Sequence, residues 1–354
     1  MAASIKSWIS TLVIFVSVLQ VVHASWWYLG VASSYQILAD EVRHKPQHAC
    51  SNLQFLEPHQ RDICSNDGKL LDVIRTGAAM GIDECQFQFR DRRWNCSTTN
   101  NTDVFGRVLY IKSRETAYIY AISSAGIMYS VTRACAKGEL DKCGCDNKAR
   151  SREPGENFEW GGCSENIRYG AKFSKDFLDR NETRNKDQGS MNLWNNGAGR
   201  KTIKDHVEKQ CKCHGVSGDC SVKICWRKMR SFRDIGASLK HKFDGATYVK
   251  WDKRRRRLKR ITGMQKRPTK GDLVYLQESP DFCEFNPEYG SLGTRGRQCN
   301  KTSYGLDGCT LMCCGRGYQT LVSEEKYDCD CKFFWCCRVE CKKCTKVLEK
   351  HFCN

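Results

Sequence analysis

Twenty-four cysteines, all of them after residue 49, constrain this chain more than any other feature. So many thiols persist together where they are oxidised to pairs, which means outside the cytosol. The first residues agree. MAASIKSWISTLVIFVSVLQVVHA, residues 1–24, has one lysine, an apolar core from Ile9 to Val22 and the small-residue ending Val22-His23-Ala24. This is the pattern of a secretory signal cleaved near Ala24. The apolar run falls short of the roughly 20 residues that span a bilayer, so a membrane anchor is the weaker reading. The cysteine count is even, but sequence alone leaves the pairing open. About 330 residues are enough to bury a large core without staples, so the cysteine density means that parts of the chain have little core of their own.

The cysteines are unevenly spread, and the spread divides the chain into a signal (1–24), a helical domain (25–250), a basic linker (251–272) and a cysteine-rich domain (273–354). Between Gly68 and Ala246 the pattern is mostly helical. KLLDVIRTGAAMGIDECQFQF places Leu70, Val73, Ile74, Met80 and Phe87 on one stripe. SRETAYIYAISSAGIMYSVTRAC is apolar on nearly every face, which predicts a central core helix, since three serines interrupt it and Glu115 and Arg133 bound it. WGGCSENIRYGAKFSKDFLDR, NLWNNGAGRKTIKDHVEKQ and SFRDIGASLKHKF are amphipathic and free of proline. Cys135, Cys143, Cys145 and Cys163 cluster where two helices join. From Cys283 onward, twelve cysteines in 72 residues and no helical repeat predict short hairpins held by disulfides. The fold class is α+β and disulfide-rich.

Net charge is +18, or +17 once Lys6 leaves with the signal. For an exported protein this points away from nucleic acid and toward sulfated glycans or anionic surfaces. Ten of the basic residues lie between Lys253 and Lys270. Such a run cannot fold by itself and reads as a linker or exposed loop, with a solvated charge run as the default and a heparan-type contact or a protease cut as additions. Four sequons, at Asn95, Asn100, Asn181 and Asn300, are candidate glycan sites.

Residues 211–225, CKCHGVSGDCSVKIC, enclose Ser217 between four cysteines. The C-x-C spacing is too tight for common zinc geometry, and exported sulfurs pair with one another, so no metal is expected. Gly215-Val216-Ser217-Gly218-Asp219 nearly matches the G-x-S-x-G elbow of hydrolases, but Asp219 replaces the last glycine and no strand-then-helix context is read around it. The remaining reading is a nested hairpin, Cys213 with Cys220 inside Cys211 with Cys225, presenting Ser217 at a rigid tip for modification by another enzyme. A second such finger spans Cys329 to Cys344, with Cys331 to Cys341 inside it. It is tipped by Phe333, Phe334, Trp335, Cys336 and Cys337. Three aromatics on so small a loop suggest an interaction patch, against the alternative that they pack on their own domain.

ECQFQFRDRRWNCS (84–97), AISSAG and VTRAC (121–135), MNLWNNGAGR (191–200), CKCHGVSGDC (211–220), RQCNKTSYGLDGCTLMCCGRG and CKFFWCCRVECKKC together resemble the Wnt family of secreted signalling ligands over essentially the whole mature chain. The match looks closest to the fourth subfamily. The resemblance implies a helical domain followed by a cysteine-rich one. It also implies these pairs: Cys85 with Cys96, Cys135 with Cys143, Cys145 with Cys163, Cys211 with Cys225, Cys213 with Cys220, Cys283 with Cys314, Cys299 with Cys309, Cys313 with Cys353, Cys329 with Cys344, Cys331 with Cys341 and Cys336 with Cys337. Cys50 and Cys64 are left for each other.

By the same resemblance, Ser217 is esterified with palmitoleate by Porcupine, shielded by Wntless and deacylated by Notum. The loop His214, Gly215, Val216, Ser217, Gly218 and the finger Phe333 to Cys337 grip the Frizzled cysteine-rich domain, while a low-density-lipoprotein-receptor-related protein or another coreceptor binds elsewhere. Heparan sulfate proteoglycans hold the ligand in the extracellular matrix. Asn95 and Asn300 match family glycosylation positions; Asn100 and Asn181 rest on the sequon alone. No enzymatic activity and no cofactor beyond the acyl group are implied. Asp219 departs from the serine found there in most members, which puts an anionic side chain two residues beyond the acylated position. Two other classes stay open on the residues themselves: a hydrolase using Ser217, and a matrix protein built around Lys253 to Lys270.

Overall fold

The computed structural model describes residues 26–31, 50–65, 67–98, 104–149, 158–180, 182–183, 186–215, 219–261 and 266–354. The expected signal, the sequons at Asn100 and Asn181, and Val216, Ser217 and Gly218 lie outside the described residues.

Among the described residues seven α-helices build the first part: α1 (Tyr28–Val31), α2 (Pro58–Ser65), α3 (Gly68–Phe89), α4 (Arg114–Lys137), α5 (Ile167–Leu178), α6 (Asp187–Asp205) and α7 (Phe232–Asp244). Local chemistry sets several of their ends. The Asp67 carboxylate accepts the Leu70 N–H at 3.3 Å and starts α3. Gly138, at φ 72°, stops α4 by turning its N–H back to the Ala134 and Cys135 carbonyls.

Helix α4 is the hub: 18 of its 24 residues are buried, so it is covered on all sides by protein. Its serines find partners inside the bundle. Ser123 accepts the Trp27 indole N–H at 2.7 Å, and Ser124 donates to the Asn196 carbonyl at 2.8 Å. Among the described residues no helix is long and apolar enough to cross a membrane. At the crossing of α3 and α4 two glycines meet backbone to backbone, because a Cβ on Gly77 would lie 2.8 Å from the Gly126 carbonyl oxygen.

The helix expected to continue to Gln210 ends at Asp205, and the chain passes into a strand. A three-stranded sheet comes next, ordered β1 (Glu159–Trp160), β3 (Val222–Met229) and β2 (Val207–His214), with β1 parallel to β3. The ladder running from Val207 opposite Met229 to His214 opposite Val222 overrides the helical pattern of residues 207–210. The basic run also differs from an unstructured linker. Its first part turns between β4 (Thr247–Asp252) and β5 (Arg257–Arg260), while β6 (Val274–Tyr275) runs parallel to β4. The reason is a period of two: Leu258 faces inward between exposed cations and joins Met191, Val249, Val274 and Trp194 in a small cluster.

The last part has its own core of Cys299, Cys309, Met312, Cys313 and Cys353, five residues that all contribute sulfur. Around it lie β7 (Phe285–Asn286), β8 (Ser291–Leu292), β9 (Gln298–Cys299), the short α8 (Cys309–Met312) and a ribbon of β10 (Tyr318–Phe334) with β11 (Arg338–Cys353). The expected short hairpins thus include one ribbon with strands of 17 and 16 residues. The two parts are joined by arginines. Arg93 donates to the Leu311 carbonyl at 3.0 and 2.8 Å, and Arg297 donates to the carbonyls of Arg93 (2.5 Å) and Arg90 (3.0 Å).

Eleven disulfides are formed, including Cys50–Cys64 and both nested sets. The expected Cys336–Cys337 bridge is the exception: both are free, exposed thiols. A disulfide between neighbours would close a small ring through a single peptide unit and distort it, and here the two cysteines instead take up the turn at the tip with left-handed backbone.

Candidate functional site

The Ser217 hairpin is rooted in the helical domain through its second strand. Glu165, only 3% exposed, accepts the Met229 N–H at 2.5 Å and pairs with Arg133 of α4 at 2.7 Å. Its own N–H donates to the Arg227 carbonyl at 3.0 Å, and Ser164 Oγ accepts the Arg227 N–H at 3.1 Å. The segment holding Glu165 is itself stapled to the end of α4 by Cys135–Cys143 and Cys145–Cys163. Among the described residues strand β2 pairs only with β3 and is the edge of this sheet.

Toward the tip, Cys211 and Cys225 face each other in register and are bridged, and Cys213, opposite Lys223 in the ladder, is bridged to Cys220 just past the last pair, His214 with Val222. Ser221 Oγ donates to the His214 carbonyl at 3.0 Å. A Cβ on Gly215 would collide with the Asp219 carbonyl oxygen and lie 2.6 Å from Ser221 Oγ, so this pinch admits only glycine. The ends of the loop, His214 with Gly215 and Asp219 with Cys220, are therefore fixed against each other. Asp219 Oδ1 accepts the Cys220 N–H at 2.8 Å, which turns the exposed carboxylate onto its own backbone. The next element after the serine is strand β3, whereas a hydrolase elbow needs a helix there.

The second finger extends well beyond Cys329 to Cys344. Cross-strand pairing begins at Tyr318 opposite Cys353, is interrupted by a bulge between Cys329 and Lys332, and ends at Phe334 opposite Arg338. Trp335, Cys336 and Cys337 form the tip, and the two cysteines adopt left-handed φ values of 69° and 78°. Non-glycine residues pay about 1 to 2 kcal/mol for that conformation. Phe333, Phe334 and Trp335 are 68%, 47% and 94% exposed, so the rings do not pack on their own domain.

Among the described residues one group of side chains has the spacing of metal ligands. The sulfurs of Cys299, Cys309 and Cys313 converge, but each is in a disulfide, which removes the thiolate a metal requires. Of the described sequons, Asn95 is half-buried beside Cys96. Asn300 is exposed in a turn where the Thr302 N–H and hydroxyl reach its Oδ1 at 3.0 and 2.9 Å.

Sequence reasoning missed Ser164 and Glu165, whose partners lie 63 and 64 residues away. It also missed Glu182, which burial pushes up to about 7 despite hydrogen bonds from Asn192 and Tyr120, with Asp179 nearby adding to the rise.

A family model described as the wnt family matches residues 52–354. Human Protein Wnt-5a is 46% identical over 363 residues, spanning 100% of this chain and 95% of its own length. Protein Wnt-5b of Pongo abelii is 46% identical over 338 residues, 93% of each chain. A chain in the solved structure of human WLS in complex with WNT8A superposes with a TM-score of 0.57 at 38% identity, covering 80% of this chain and 94% of that one. The expectation of a fourth-subfamily likeness shifts accordingly, since these relatives carry fifth-subfamily names.

Proposed function

The chain belongs to the Wnt family, and from that premise we propose that it is a secreted, non-enzymatic signalling ligand that grips the Frizzled cysteine-rich domain with an acyl chain on Ser217 and with the aromatic tip of the second finger. The observation that carries this reading is the pair of stapled hairpins. One fixes both ends of the Ser217 loop, and the other holds Trp335 94% exposed at a three-residue tip. An exposed aromatic cluster of this kind is what a partner's pocket takes up.

Magnitudes assign the roles. About a dozen methylenes entering an apolar groove at roughly 0.8 kcal/mol each give a gross gain near 10 kcal/mol before ordering costs. An exposed ion pair gives about 0 to 1 kcal/mol. The acyl chain supplies affinity, and the basic surface supplies local concentration on heparan sulfate proteoglycans. One chain anchors only marginally to a membrane, so a carrier is needed, and the likeness to a protein solved with WLS supports Wntless in that part. Porcupine adds the acyl group, Notum removes it, and a low-density-lipoprotein-receptor-related protein or another coreceptor binds outside the two tips. Because Asp219 caps the Cys220 N–H, its charge is held by the local backbone and is compatible with acylation of Ser217.

The test is metabolic labelling with an alkyne fatty acid. Secreted wild type takes up label and binds a Frizzled cysteine-rich domain, while Ser217→Ala loses the label and at least 100-fold in affinity. Equal labelling of the two proteins sinks the assignment. A fluorophosphonate probe reacting with Ser217 would favour the hydrolase instead.

A further inference from the structure

Away from both tips, the end of α5 and one face of α6 border a groove of about 520 Å³. Lys175, Lys201, Lys204 and Lys270 line it, over a floor made by Leu193, Trp194 and Gly197. Two further charges there are already spent: Arg200 is tied to Asp179 at 3.0 and 2.6 Å, and Asp205 holds Lys201 at 2.9 Å. Among the described residues Lys175, Lys204 and Lys270 have no ion pair, so three lysines line a concave surface whose one carboxylate, Asp205, is already engaged by Lys201.

The floor supplies an independent observation. Gly197 sits in the interior of a 19-residue helix, where glycine is worse than alanine by about 1 kcal/mol. A Cβ at Gly197 would meet nothing within 4 Å, so packing inside the chain gives no reason for the missing side chain. Its absence deepens the groove beside Trp194. That indole is pinned by donating its N–H to the Asp272 carbonyl at 2.9 Å, which holds a rigid ring on the floor.

We infer that this groove is the seat of a sulfated glycan chain, with sulfates on the lysines and a sugar ring over Trp194 and Gly197. A linear polyanion fits a concave basic channel, whereas a flat bilayer surface does not. The inference rests on the exported part of that reading, not on its receptor, and places the glycan at the root of the Ser217 hairpin, since α6 leads through His206 directly into β2. Glycan capture then leaves both tips free for the receptor. The exposed turn of the basic run, Lys253 to Arg256, adds diffuse attraction, and Lys270 contributes to the groove itself.

The test uses a size-defined heparin fragment and full-length secreted protein, with affinity read across a salt titration. Lys175→Gln with Lys204→Gln is expected to weaken binding about tenfold or more and to reduce the slope of log affinity against log salt by about two, one for each charge contact removed. Gly197→Ala leaves the charge unchanged and is expected to weaken binding several-fold with an unchanged or raised Tm. Arg254→Gln with Arg255→Gln, at the exposed turn, changes affinity less than the groove pair does. Wild-type binding by the groove variants overturns the proposal, as does an effect confined to the turn variant. Loss of phosphatidylserine-vesicle binding with heparin binding intact overturns it in favour of a membrane. Frizzled-domain binding of the groove variants stays within about twofold of wild type, and its absence in wild type would sink the ligand reading without touching this one.

Discussion

The two fingers share a device and differ in everything beneath it. Each has an outer and an inner disulfide, with sequence separations of 14 and 7 in the first and 15 and 10 in the second. The first has strands of eight residues, and its second strand is zipped to residues 159–165 and through them to the hub helix. The second runs 17 and 16 residues with almost every side chain exposed, touching the rest of the chain near its base through β9. An isolated two-stranded ribbon is marginal in water. In the first finger the bridges refine a position that helices already hold; in the second they stand in for a core that is not there.

The sharpest way to break this comparison is at the root. Glu165→Ala leaves the buried Met229 N–H without its acceptor and releases Arg133, whose 37% exposed side chain can turn to water, and unfolding measurements should show a loss of about 3 kcal/mol. Its counterpart on the ribbon, Glu340→Ala, breaks an exposed pair with Arg338 and should change stability by no more than about 0.5 kcal/mol. Similar losses would mean that the first finger is not rooted as described.

Removing the inner bridges comes next. Cys213→Ser with Cys220→Ser, and Cys331→Ser with Cys341→Ser, should each cost about 2.5 to 3 kcal/mol by loop entropy. Hydrogen exchange should separate them: fast exchange stays at the tip of the first finger and spreads toward residues 318–328 in the second.

A pH titration sharpens the contrast further. Burial keeps Glu182 protonated up to about 7 in the folded helical domain, against 4.5 unfolded. The folded state therefore holds a proton that the unfolded state has released. That stabilisation is complete below about pH 4.5 and is lost as pH rises to about 7, by roughly 3 kcal/mol. Thermal melts of Glu182→Gln should lose most of this slope, while exchange in the ribbon should be the same in both proteins. The smallest effect on stability belongs to Trp335→Ala, within about 0.5 kcal/mol because the ring is 94% exposed, yet Frizzled-domain affinity should fall at least tenfold.

The features legible in the sequence are those written locally. The first part of the α3 stripe (Leu70, Val73, Ile74), the all-round apolarity of α4 and the C-x-C spacings of both fingers each sit within about two dozen residues, whereas the expected stripe member Phe87 is 39% exposed and Met80 is not among the buried residues. The end of α6 was not legible because the amphipathic pattern continues through Val207 to Gln210, and only a partner strand reached after the hairpin turn decides the matter. The β4–β5 hairpin was hidden by composition: its alternation at Leu258 is one inward residue among cations. The ribbon's length left no trace because both of its faces are wet, so no period of two marks it. Glu165, Glu182 and the groove over Gly197 depend on segments far apart in sequence and become visible only once those are packed together.

The joint between the two parts has one more consequence. Arg93 and Arg297 bind carbonyl oxygens of residues 90, 93 and 311. A carbonyl does not titrate in the physiological range, and every residue type offers the same one. These arginine–carbonyl bonds therefore ignore changes in pH that ionise carboxylates, and they tolerate drift at residues 90 and 311. For these bonds only the two arginine positions must keep their side chains, and beside them Phe282 of the last part packs on Trp94 in the main core, so the joint combines an apolar contact with hydrogen bonds that ask nothing of their acceptors' side chains.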